Sequence, residues 1–241
     1  MAVSVILPGT MDFQPIIIVV VIIVVIALAI YRRYKARLRR EALAKLAKAK
    51  GWEYRPRKDW AMDGRFGMFS CLQQGSKRYA YNVLKGQVSQ RHMLGFDYHY
   101  ETYSRDSKGR RRTHHHYFSA VLINSGLPLK SLVIRPEHFF DKVTEFFGYD
   151  DIDFESSDFS RKFYVKSPDK KWAFDVIHQE TMEFMLNSPT FHLDFQGPHV
   201  MAYHKSSTFD IEEFGAAIAV IEGILNRLPE YLLRELKGQE Q

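Results

Sequence analysis

The sequence predicts an α+β fold: an N-terminal single transmembrane helix, a basic helical stalk, and a mostly antiparallel sheet with three packed helices. Three observations predict it. Residues 15–30 read PIIIVVVIIVVIALAI, with no charge or strong polar group. Residues 51–134 hold short runs rich in aromatic and β-branched residues, separated by Gly, Ser, Lys and Asp, which is the pattern of strands and turns. After Pro136 the apolar side chains recur at helical spacing. The predicted organisation is 1–31 for the tail and transmembrane helix, 32–50 for the basic juxtamembrane helix, and 51–241 for the soluble domain. A chain of 241 residues accommodates an anchor and one medium domain.

The anchor comes first. Ile16 to Ile30 span roughly 22 Å at about 1.5 Å per residue, a little short of the hydrocarbon core, and Phe13 and Tyr31 extend the run as interfacial anchors. No Lys or Arg precedes it, whereas Arg32, Arg33, Lys35 and Arg37 follow at once. The positive-inside rule places the N-terminus outside and the C-terminal domain in the cytoplasm. A cleaved signal peptide is the competing reading, because Ala27-Leu28-Ala29 resembles a cleavage site; the missing positive n-region argues against it.

Charge is concentrated behind the anchor. The formal net charge is +6, but Tyr31 to Lys50 alone carries nine basic residues and one acid. Residues 51–241 keep 25 of the 34 basic residues and 26 of the 28 acidic ones, Asp12 and Glu41 being the two outside. A near-neutral domain lacks the extended basic face of a nucleic-acid binder, so nucleic acid is not an expected partner. The basic segment is rich in Ala, Leu, Lys and Arg and stops at Gly51, as a helix with a C-terminal glycine does. Leu38, Ala42, Leu46 and Ala49 form its predicted apolar stripe. It reads as a solvated stalk, or as a helix lying on anionic headgroups.

In the domain, WEYRP, RYAYNVL, MLGFDYHYETYS, THHHYFSAVLI and LKSLVI read as antiparallel strands. Pro136 is expected to open a helix carrying Phe139, Phe140, Val143, Phe146 and Phe147 and ending at Gly148. A strand at 161–166 and a second helix from Ser167-Pro168 to about Leu186 follow. FHLDF and HVMAYH, joined by Gln196-Gly197-Pro198, suggest a hairpin. Asp210 and Glu213 make a capping box for the last helix, which Pro229 breaks. A barrel of the pleckstrin-homology type is a fold-level alternative.

Candidate chemistry gathers at Ser104 to Phe118, SRDSKGRRRTHHHYF. Asp106-Ser107-Lys108-Gly109 is turn chemistry between two strands. With an even loop, His99, Glu101, His114 and His116 share one face and offer nitrogen and oxygen donors to a metal; an odd loop puts His115 there instead. A polar cross-strand ladder that binds nothing is the plain alternative. Arg110, Arg111 and Arg112 at the tip are candidates for phosphates or acidic partners, with Tyr98, Tyr100 and Tyr103 as stacking partners. Cys71, the single cysteine, excludes an intramolecular disulfide and reads as a buried thiol. His178 reads as a packed or capped histidine. Asp150, Asp151, Asp153, Glu155 and Asp158 form an acidic loop without EF-hand spacing. The signatures of P-loop, dinucleotide-binding, serine-hydrolase and HExxH enzymes do not occur, and no cofactor is expected.

FDYHYET, THHHYFSAVLI, IRPEHFFDKV, DIDFESSDFSRKFYV and AFDVIHQETMEFML, taken in this order, resemble a group of uncharacterised bacterial membrane-anchored proteins classed as a domain of unknown function. The resemblance covers nearly the whole chain and implies a bacterial inner-membrane protein with a cytoplasmic α+β domain. It carries no catalytic residues. The functional expectation is a non-catalytic interaction module binding a protein or anionic lipid at the membrane surface. The alternative is a membrane-tethered enzyme, with or without a metal, built on the histidine hairpin.

Overall fold

The computed structural model describes residues 14–137 and 152–238. The chain divides into two compact units, Met1–Ala42 and Leu43–Gln241. Among the described residues the first is helix α1 (Gln14–Lys50) as far as Ala42, and each large side chain from Ile17 to Ile26 stands exposed. This helix is long and apolar enough to cross a membrane. Arg32, Arg33, Lys35 and Arg37 follow on its surface; Arg37 Nε pairs with Glu41 at 2.7 Å, and the Lys35 ammonium lies 5.6 Å from the Tyr31 ring centre.

The second unit starts inside the same helix. Leu43 and Ala47 are fully buried in the main core and Leu46 packs beside them, whereas Leu38 is exposed. The expected stripe at Leu38, Ala42, Leu46 and Ala49 is therefore rotated by one position, because the domain core, not the helix's own pattern, selects the buried side. Gly51, at φ +68°, ends the helix: Trp52 N–H donates to Ala47 O at 2.8 Å and Gly51 N–H to Lys48 O at 3.4 Å, a Schellman cap.

The sheet follows in chain order: β1 (Glu53–Arg55), the short α2 (Met62–Arg65), β2 (Ser76–Val88), β3 (Arg91–Arg105) and β4 (Arg111–Pro136). The path runs β1-β2-β3-β4, all antiparallel. After α3 (Ser157–Lys162), β5 (Phe163–Lys166) pairs with the end of β4. Next come α4 (Lys170–Val176), α5 (Gln179–Leu186), β6 (His192–Tyr203), α6 (Ile211–Leu225) and α7 (Glu230–Gly238), with β6 pairing along β4. Among the described residues β1 pairs only with β2 and β6 only with β4, so the sheet is open at both strands and the barrel alternative is not what forms.

Several expectations are corrected. FHLDF and HVMAYH are not a hairpin but one strand, β6, and THHHYFSAVLI and LKSLVI are likewise one strand, β4. Glycines in the left-handed region, Gly126 (φ +72°) and Gly197 (φ +55°), mark bulges where the register shifts, not chain reversals. The bulged segments are tied together by Ser125 Oγ donating to Pro198 O at 3.0 Å. The helix expected to end at Leu186 breaks at Ile177-His178 into α4 and α5. Its cap is Asp169, whose carboxylate accepts from Trp172 N–H at 3.0 Å. Pro136 closes β4 opposite Phe163; the helix expected after it, with Phe139, Phe140, Val143, Phe146, Phe147 and Gly148, lies outside the described residues, as do Asp150 and Asp151. The capping box at Asp210 and Glu213 is present, and Pro229 separates α6 from α7.

Two cores follow from strand alternation. On one side of the sheet Met93, Val121, Ile123 and Val200 meet α6 through Phe214, Ala217, Ile218 and Ile221. On the other, Phe96, Tyr98, Tyr100, Phe118 and Leu122 are covered by Met62, Phe69 and Leu72. That cover is fastened by Tyr98 Oη donating to Leu72 O at 2.7 Å and by an Arg78–Asp63 pair at 2.7 Å. Cys71 lies within it, buried, and burial pushes its thiol well up, which keeps it protonated at neutral pH.

Candidate functional site

The β3–β4 turn decides the site. Asp106 N–H donates to Arg110 O and Gly109 N–H to Asp106 O, both at 2.9 Å, with Gly109 at φ +76°. This is a three-residue loop with a glycine bulge, hence an odd one. The register pairs His99 with Tyr117, Tyr100 with His116, Glu101 with His115, and Thr102 with His114. The grouping of His99 and Glu101 with His114 and His116 is therefore corrected: His115 takes the shared face. His114 and His116 point to the other side, bonded to Ser104 Oγ and Thr102 Oγ1 at 2.7 Å each, and His116 stacks on Tyr100. Burial lowers the His116 pKa.

On the shared face, His99 Nε2 lies 3.0 Å from His115 Nδ1, and His115 Nδ1 lies 3.6 Å from Glu101 Oε1. The three donor atoms are all within 4.8 Å of one another. A bulge in β2 supports them. Lys77, at φ +49°, sits where the β2–β3 register shifts, and this aims its carbonyl at His99 Nδ1 (3.3 Å) and its ammonium at Glu101 Oε2 (3.0 Å). Tyr103 Oη donates to the same oxygen at 2.8 Å. The Lys77 hydrogen bond, with that of Tyr103, holds the Glu101 carboxyl below its ordinary pKa, while burial lowers that of His99. At neutral pH the pair is an anionic carboxylate beside a neutral imidazole.

Around these donors is an aromatic and cationic surface. Tyr79 stacks on His99 with centroids 4.6 Å apart, and Trp60 packs on Tyr79 at 4.8 Å. The Lys58 ammonium lies 4.1 Å from the Tyr79 centroid, and the Arg111 guanidinium 3.6 Å from that of Tyr103. Trp60, Tyr103 and Tyr117 are 57%, 38% and 45% exposed. Of the tip arginines, only Arg111 belongs to this face. Arg110 is bound to Asp106 at 2.9 Å, and Arg112 pairs with Ser104 in the register, on the opposite face. Tyr98 and Tyr100, expected as stacking partners, are instead core residues on the far side.

Sequence reasoning missed Lys58, Trp60, Lys77, Tyr79 and Tyr117. The parity that selects His115 was available in Asp106-Ser107-Lys108-Gly109, because glycine in fourth place is the mark of the three-residue loop. The β2 bulge at Lys77 had no signal.

Elsewhere, a cleft of roughly 500 Å³ is lined by Pro136, Lys162, His192, His204 and Lys205, among others. Burial pushes His192 down to about 4, leaving it neutral, and the Lys162 ammonium is bonded to Leu186 O at 2.8 Å. His178 stands at the α4–α5 break with no side-chain bond to the backbone of the first turn of α5; its Nε2 lies 2.8 Å from Arg227 O, beyond the end of α6. Asp158 pairs with Arg161.

No protein-family model matches the chain, and no curated protein does. Among solved structures, the chain is similar to the crystal structure of the mycobacterial trehalose monomycolate transport factor A, TtfA, with a TM-score of 0.53 at 12% identity. The match covers 79% of this chain and 96% of that one. At this identity the likeness is one of fold.

Proposed function

We propose that the protein is a single-pass bacterial inner-membrane interaction module, N-terminus outside and α+β domain in the cytoplasm, that binds an acidic protein surface through the Trp60–Tyr79–Tyr117–Tyr103 face. The observation that carries the reading is this face itself: Trp60, Tyr103 and Tyr117 are kept exposed beside Lys58, Lys77 and Arg111. Trp, Tyr and Arg are the residues that dominate binding energy at protein interfaces. The basic run after the apolar helix supports the orientation. The fold shared with a transport factor fits an accessory role.

The test replaces Trp60 and Tyr117 together by alanine in the full chain and compares what co-purifies from native membranes. Both side chains are half or nearly half exposed to solvent, so the fold is expected to persist. A stoichiometric protein should be lost with this pair and retained in a His114→Ala variant on the opposite face. Recovery unaffected by the double replacement contradicts the reading, and loss of anionic lipid alone assigns the face to headgroups. A second reading, a membrane-tethered metal-dependent enzyme, has the His99, Glu101 and His115 donor set in its favour.

A further inference from the structure

We infer that His99 Nε2, His115 Nδ1 and Glu101 Oε1 form a binding site for one divalent ion of the zinc class, with its remaining coordination open to solvent. Two ligand atoms bound to tetrahedral zinc at about 2.0–2.1 Å are about 3.3 Å apart. The His99–His115 and His115–Glu101 separations, 3.0 and 3.6 Å, bracket that value, and the third pair lies within 4.8 Å; an entering ion takes the place of the proton between the two imidazoles, which moves to His115 Nε2, and draws the Glu101 carboxylate toward His99.

The surroundings are those of an organised ligand set. The Lys77 carbonyl faces His99 Nδ1, which fixes the proton there and leaves the Nε2 lone pair directed at His115. Lys77 and Tyr103 both engage Glu101 Oε2, leaving Oε1 on the His115 side. His99 and Glu101 are buried and carried by one strand two residues apart, so their positions are set by the sheet, not by a loop. His115, half exposed on the neighbouring strand, closes the set and leaves the outward side to water or to a partner's carboxylate. Two imidazoles and one carboxylate select zinc, cobalt, nickel or copper over magnesium and calcium.

The inference concerns the same face as the proposed interaction surface and does not depend on its partner, since the test uses the purified full chain in detergent. The protein, carrying an affinity tag without histidine, is stripped with chelator and titrated with Co2+, then with Zn2+ in competition. The expected result is one equivalent bound, with the intense visible bands of four-coordinate cobalt, displaced by zinc and not by magnesium. His115→Ala, at an exposed position that leaves the fold intact, should weaken binding beyond the about 10- to 100-fold typical of outer-shell changes. Glu101→Gln should also weaken it, and His114→Ala and His116→Ala should leave it unchanged. Absence of saturable one-equivalent binding, or binding that survives His115→Ala, overturns the inference and leaves the protein-partner reading standing.

Discussion

Replacing Gly75 with alanine is expected to destabilise the domain by about 3 kcal/mol or more and to disorganise the histidine face. Two costs add. Gly75 sits at φ +60°, where a side chain costs about 1–3 kcal/mol. An added Cβ would lie 2.3 Å from the Glu101 carbonyl oxygen and 2.9 Å from the Tyr100 ring, an overpacking that costs typically about 1–3 kcal/mol. The obstacle is backbone of β3 at the residue that supplies the carboxylate, so relief must move Glu101. The measurement is the denaturation midpoint of the full chain in detergent, with Gly109→Ala, whose Cβ meets nothing within 4 Å, as a control for the left-handed conformation alone. Gly75→Ala should lose clearly more stability than Gly109→Ala; equal losses would mean that the β2–β3 contact is not tight.

Asp194→Asn is expected to stabilise the protein at alkaline pH and to leave it nearly unchanged in acid. Asp194 is buried beside Cys71 and Tyr203 on the sheet side opposite α6, and burial pushes its carboxyl up to about 7, opposed only by the hydrogen bond from Gln196 Nε2 at 3.0 Å. Below its ordinary value of 3.8 the group is protonated in both folded and unfolded chains. Between there and about 7 the unfolded chain ionises first, so folding takes up a proton and stability falls as pH rises; above about 7 the loss is complete. Asparagine keeps the shape and the Gln196 bond without the charge. The stability difference between variant and wild type should grow by up to about 4 kcal/mol between pH 4 and pH 8, since each pH unit separating the unfolded from the folded ionisation point is worth about 1.4 kcal/mol. A pH-independent difference would show that Asp194 ionises normally in the folded chain.

The α+β class was legible because period changes along the chain are large. The apolar run, the alternating strands and the capping box at Asp210 and Glu213 are each local, and local signals survive folding. What was not legible depended on contacts between distant segments. Gly126 and Gly197 look like turns in isolation and become bulges only because β4 and β6 pair across them. Leu43 and Ala47, not Leu38, are buried because the sheet and helices supply the partner surface. The candidate site was half legible. His99 and Glu101 were placed together on one face, but the third member turned on a one-residue parity, and a strand's faces exchange with every such step. The aromatic and cationic surroundings were hidden because Trp60, Tyr79 and Tyr117 come from three separated segments.

The most direct test of the account places a photoreactive phenylalanine analogue at position 60, 117 or 174 of the full chain and irradiates intact membranes. Trp60 and Tyr117 lie on the proposed face, and Phe174 is comparably exposed on α4. The account predicts one discrete protein adduct shared by positions 60 and 117 and missing at 174. Equal adducts at all three positions, or none at 60 and 117, would contradict it.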